Sequence, residues 1–108
     1  MADLPFRATT ATGDAFEFSF PLHPETGDSV RVSQMLSLLL EAIQRDLDVV
    51  GPASNGDVMQ ALAMALSVRA RMVHAPSVET ARLAESLLAT ALSATQKTDR
   101  IGPAAGRA

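Results

Sequence analysis

The sequence predicts a mainly α-helical protein: an N-terminal β-hairpin followed by a three-helix antiparallel bundle, with helix 2 central and the bundle completed by dimerisation. Two patterns predict these elements, one short segment with apolar residues at every second position and three long segments with apolar residues at helical spacing. A third observation, the almost wholly apolar segment 57–68, predicts the dimer. The length of 108 residues fits a single domain with one core.

The predicted hairpin begins with AFEFSFPL at 15–22, where three Phe side chains share one face of a strand and Glu17 and Ser19 lie on the other. The turn-forming segment HPETGD follows, and SVRV at 29–32 is the predicted second strand. A lone two-stranded hairpin is marginal in water, so we expect its Phe face to lie on the helices or its edge to pair with another strand. Residues 1–12 show no sustained period and are expected to be a flexible N-terminal arm.

Capping and helix-breaking residues delimit helices 1 and 2. Helix 1 is predicted to begin at the N-cap residue Ser33 and to end before Gly51. Helix 2 has a capping-box-like start at Ser54 and Asp57, and it is predicted to end two residues before Pro76.

Helix 3 and the C-terminal residues complete the predicted organisation. Helix 3 is expected from Ser77 to about Gln96, with one ordinary apolar face. The hairpin and the three helices form one predicted domain at 13–97. Residues 98–108, which contain Gly, Pro and small side chains with little to bury, are expected to be a disordered tail.

Helix 2 exposes more apolar surface than one small chain can cover. Its polar residues crowd into a narrow stripe and leave an apolar arc of roughly 260°. The stripe consists of Gln60, Ser67, Arg71 and His74. Two neighbouring helices and a hairpin would cover this arc only by losing contact with one another, so a homodimer, the commonest kind of oligomer, is expected. The alternative is a compact monomer in which small Ala side chains let the helices approach closely.

Two charged residues fall inside apolar arcs: Asp46 in helix 1 and Arg69 in helix 2. At 1.5 Å per residue, they would lie about 6 Å and about 21 Å from the connecting end of one antiparallel pair, so they are not expected to meet within a chain. An interface ion pair between Asp46 of one subunit and Arg69 of another is therefore one hypothesis. The alternatives for Arg69 are a solvated helix end, a pair with Glu79 or Glu85, and an anion-binding role.

The anion-binding role defines a second class of function. A pocket lined by adaptable methionines, Met35, Met59 and Met64, together with Leu62, would place Arg69 against a carboxylate or phosphate. Methionine at helical spacing is also ordinary core material, so the same residues fit a packed helix interface.

Composition narrows the function classes. The chain has no Cys, which excludes disulfides and thiolate chemistry. A net charge of −3 with a single Lys, Lys97, argues against nucleic acid as a partner. No apolar run approaches the ~20 residues that cross a bilayer, and the first ten residues do not form a signal peptide, so a cytoplasmic protein without a membrane partner is expected. The preference for Ala and for Arg over Lys suits a GC-rich bacterial genome.

No catalytic or metal-binding motif is present. His23, Glu25 and Asp28 lie close together in HPETGD, but their spacing matches no metal site and these residues suit a hairpin turn. His74 has no identifiable partner for general-base catalysis. We therefore expect no metal or cofactor, and a non-enzymatic bacterial interaction or regulatory module that acts as a homodimer with a possible protein partner. The alternative is an anion-binding protein or an enzyme with a composite site at the dimer interface.

Overall fold

The computed structural model describes residues 2–103 and contains two strands followed by three helices. The elements are β1 (Asp3–Thr9), β2 (Ala15–Pro21), α1 (Ser29–Val49), α2 (Asn55–Arg71) and α3 (Ser77–Gln96). The prediction of a mainly helical protein with an N-terminal hairpin is confirmed. None of the helices in the described range has the length and apolar character needed to span a membrane.

The hairpin pairs β1 with β2 in antiparallel register, with Phe6 opposite Phe18. The prediction of β2 is confirmed, but the predicted partner strand at 29–32 is wrong, because those residues form the first turn of α1. The true partner, β1, lies in the segment expected to be a flexible arm, where shielded and exposed residues alternate from Leu4 to Ala8. The short SVRV pattern fits a strand or a helical turn equally well, and the helical period of the following residues extends back through it.

The segment after α3 returns to the hairpin and pairs with it at Ile101. The Ala15 amide donates to the Ile101 carbonyl at 2.7 Å, and the Ile101 amide donates to the Ala15 carbonyl at 2.8 Å. A segment with few apolar side chains to bury can still adopt one conformation when its backbone forms hydrogen bonds with the free edge of a strand. Ile101 thus pairs with the hairpin, while the disorder expected for 98–108 stays a prediction, and 104–108 lie outside the described residues.

The helix ends follow the predicted caps with small shifts. The Ser54 hydroxyl accepts a hydrogen bond from the Asp57 amide at 3.1 Å, which confirms the N-cap of α2. Gly51 ends α1 with a φ of +131°, a conformation that side chains with a Cβ rarely adopt. Helix α1 begins four residues before the expected Ser33, and α2 ends at Arg71, three residues before the expected end.

The chain forms two compact units that share α3. Among the described residues, the hairpin unit comprises 2–29 and 87–103, and the helical unit comprises 30–86. The described buried residues, Leu4, Ala15 and Ala94, all belong to the hairpin unit. The antiparallel three-helix bundle stays a prediction.

Candidate interaction surface

Helix α2 has one half-buried side. Its half-buried residues are Val58, Leu62 and Ala70, which fall within an arc of about 120° at 100° per residue. No residue of α2 is fully buried. All other residues of α2 are exposed to solvent.

The opposite side of α2 carries a second row of residues, all of them exposed. The row, which we call the α2 seam, consists of Asp57, Ala61, Met64, Val68 and Arg71. Met64 and Val68 at its centre are 56% and 59% exposed. The spacing of four, three, four and three residues is that of the contact positions in a coiled coil. The seam is therefore a helix face with an apolar middle and one charge of each sign at its ends.

Helix α1 is also only partly covered. Leu36, Ile43 and Leu47 are half-buried, but no residue of its 21 is fully buried. Leu39 and Val50, which the helical period places on the same face, are 53% and 79% exposed. The helical unit therefore leaves apolar side chains in water on both of its complete helices, and such surfaces mark interaction sites when they are contiguous.

A cavity of about 300 Å³ lies where α1 ends and α2 begins. Asp46 and Asp57 are its charged lining residues. Its other lining residues are Ala42, Ile43, Leu47, Ala53, Val58 and Ala61. Since Asp57 and Ala61 also belong to the α2 seam, one end of the seam opens into this acidic, otherwise apolar socket.

The residues proposed for ligand binding do not meet in one described pocket. Met35, Met59 and Met64 are exposed, and none of them lines the socket. Arg69 is exposed in the last turn of α2 and forms no ion pair with any residue in the range 2–103. Asp46 lies in the socket, so the Asp46–Arg69 interface pair and the methionine pocket both stay predictions.

The histidines have ordinary structural surroundings. His23 Nδ1 accepts a hydrogen bond from the Glu25 amide at 3.0 Å, a local contact between a side chain and the backbone that stabilises the turn. Within the described part of the chain, no three His, Asp or Glu side chains are grouped as metal ligands. His74 is exposed in the turn after α2.

A groove of about 720 Å³ in the hairpin unit was not foreseen from the sequence. It is lined by residues of both strands, of the C-terminal half of α3 and of the segment after it, including Asp3, Glu17, Lys97 and Asp99. These residues meet because the Ala15–Ile101 pairing returns the chain to the hairpin. Because disorder was expected after residue 97, this groove could not be predicted from the sequence.

Comparison with known proteins gave no matching family model, no matching curated protein and no matching solved structure.

Proposed function

We propose that this protein is a non-enzymatic interaction or regulatory module that acts as a homodimer through its helical unit. The observation that carries the proposal is the absence of any fully buried residue among the described positions 30–86, although α1 and α2 are rich in Leu, Val and Met. A helix with apolar side chains on opposite sides needs a neighbour on each side.

The energy of covering these side chains supports association. Burying a Val, Leu or Met side chain stabilises by about 1.5–3 kcal/mol, in proportion to the area removed from water. Leu38, Val49 and Met59 are each at least 65% exposed, so most of that stabilisation is still available to them. A second copy supplies identical apolar helices and needs no further partner.

The solution mass tests the proposal directly. Size-exclusion chromatography with light scattering, over a dilution series to low micromolar concentration, should give twice the chain mass of 11.4 kDa, about 23 kDa. The midpoint of urea unfolding should also rise with protein concentration, because association stabilises only the folded chain. A stable 11.4 kDa species with a concentration-independent midpoint would overturn the proposal.

An anion-binding function is the second candidate. The observation in its favour is the exposed Arg69 guanidinium, which forms no ion pair with the residues that the structure describes. An Arg in this state can bind a carboxylate or phosphate in a bidentate manner. Such a site would have to be completed by residues of a second subunit, as in the composite site expected from the sequence.

A further inference from the structure

The α2 seam has a charge layout that is complementary to itself. Asp57 and Arg71 each lie seven residues from Met64, on opposite sides of it. When two copies of α2 pair antiparallel with their Met64 residues adjacent, Asp57 of each copy lies beside Arg71 of the other. A parallel pairing would instead place Asp57 beside Asp57 and Arg71 beside Arg71. The charges therefore favour the antiparallel arrangement, and so do the opposed helix dipoles.

The socket between α1 and α2 adds a receptor for the incoming Arg71. Its two charged lining residues, Asp46 and Asp57, are both acidic and suit a guanidinium, and its mostly apolar lining suits the methylene stem of an Arg side chain. Ala61, the other seam residue that lines the socket, is small enough to let a second helix approach. The acidic residues, the apolar lining and the residue spacing at this end of the seam thus point to the same occupant, Arg71 of a second copy.

We propose that α2 pairs with α2 of a second copy as an antiparallel two-stranded coiled coil, whose two-fold axis passes beside Met64 and whose Arg71 side chains each enter the other copy's socket. The inference rests on the proposed homodimer and specifies its contact surface. It assigns Asp46 a partner in Arg71 of the second copy, not in Arg69, since Arg69 lies about 120° around the helix from Asp57.

Charge reversal provides the first test, with Asp57→Arg and Arg71→Asp as separate variants. In each homodimer both ends of the seam then carry like charges, and the dissociation constant should rise about tenfold, equivalent to about 1.4 kcal/mol. A mixture of the two variants restores opposite charges at both ends only in the heterodimer. Native mass spectrometry of the mixture should therefore show the heterodimer well above the half that random pairing gives.

Arg82→Asp is the matched control, because it makes the same charge change at an exposed residue of α3, outside the seam. It should leave the dissociation constant unchanged and show no preference for Asp57→Arg in a mixture. Circular dichroism of each variant establishes that the helices are retained, so a lost dimer is not confused with an unfolded chain.

Cross-linking provides the second test, since the chain has no Cys. A residue beside the two-fold axis meets its own copy, so Met64→Cys should form an intersubunit disulfide in a glutathione redox buffer. Met59→Cys, also exposed but on the other side of α2, should stay largely reduced under the same conditions.

The outcomes distinguish a failure of the proposed α2 seam from a failure of the proposed homodimer. If the wild-type protein is dimeric but Met64→Cys does not cross-link and the charge variants mix at random, the seam is wrong and the homodimer stands. If the wild-type protein is monomeric throughout the dilution series, both proposals fail together.

Discussion

Two ion pairs in the hairpin unit have the same chemistry but different surroundings. Arg7 Nη1 donates to Glu17 Oε2 at 3.0 Å between neighbouring strands, and both side chains are more than 60% exposed. Arg100 Nη1 donates to Asp14 Oδ2 at 2.5 Å across 86 positions of sequence, and the Asp14 side chain is only 21% exposed. The Arg100 guanidinium carbon also lies 4.8 Å from the centre of the Phe16 ring. The second pair should therefore contribute much more to stability than the first.

Replacing each arginine with Ala measures how much its contacts contribute to the free energy of unfolding. Arg7→Ala should lower the free energy of unfolding by at most about 0.5 kcal/mol, as for other exposed pairs. Arg100→Ala should lower it by about 1.5–2.5 kcal/mol, because it loses a charge-assisted hydrogen bond to a partly buried acceptor and a cation–π contact of about 0.5–1 kcal/mol. For a chain of this size, 1 kcal/mol corresponds to about 4 °C in Tm, so Arg100→Ala should melt about 6–10 °C lower.

Urea unfolding followed by circular dichroism measures both values. All variants are compared at one protein concentration, because the stability of an associating protein depends on it. Arg100→Lys keeps the charge but lacks the planar guanidinium, so its loss should be intermediate. Equal losses in Arg7→Ala and Arg100→Ala would refute the argument that the segment after α3 holds the hairpin through Arg100.

Three other predictions concern the helical unit. Ser54→Ala should lower the free energy of unfolding by about 1 kcal/mol in urea titrations, because the Asp57 amide loses its acceptor, whereas Ser54→Asp should retain most of it. Gly51→Ala should cost about 1 kcal/mol or more in the same assay, although nothing lies within 4 Å of the added Cβ, because φ is +131° there; an unchanged midpoint would contradict this. If Arg69 binds an anion, phosphate or small carboxylates should raise Tm in the wild-type protein and not in Arg69→Ala, and equal shifts in both would exclude the site.

The helices were predictable because their signals are local. Helix α3 begins at Ser77 and ends at Gln96, as the sequence predicts, and the Ser54 cap of α2 is where the capping pattern indicates. Strand β2 was equally clear from its three alternating Phe residues. These elements need only the side-chain period and capping chemistry of their own segments.

The strand pairing and the return of the chain after α3 were not predictable in this way. The alternation in 29–32 is too short to distinguish a strand from a helical turn, and the pairing of Ala15 with Ile101 joins segments 86 residues apart. The same long-range pairing creates the hairpin-unit groove, so that groove was missed as well. The apolar excess of α2 was visible in the sequence, but the α2 seam depends on knowing which side of the helix is half-buried.

The placement of the aromatic residues gives this protein an unusual spectroscopy. Its four Phe residues, with no Trp or Tyr, all lie in β1 and β2, where Phe16 and Phe18 stack with ring centres 5.4 Å apart. Near-ultraviolet circular dichroism therefore reports on the hairpin unit alone, while the far-ultraviolet helical signal arises mainly from the helical unit, which contains α2, nearly all of α1 and the first half of α3. A single sample heated once can show whether the two units melt together, since a two-state protein gives coincident curves at both wavelengths. The protein thus carries its own pair of site-specific optical probes without any label.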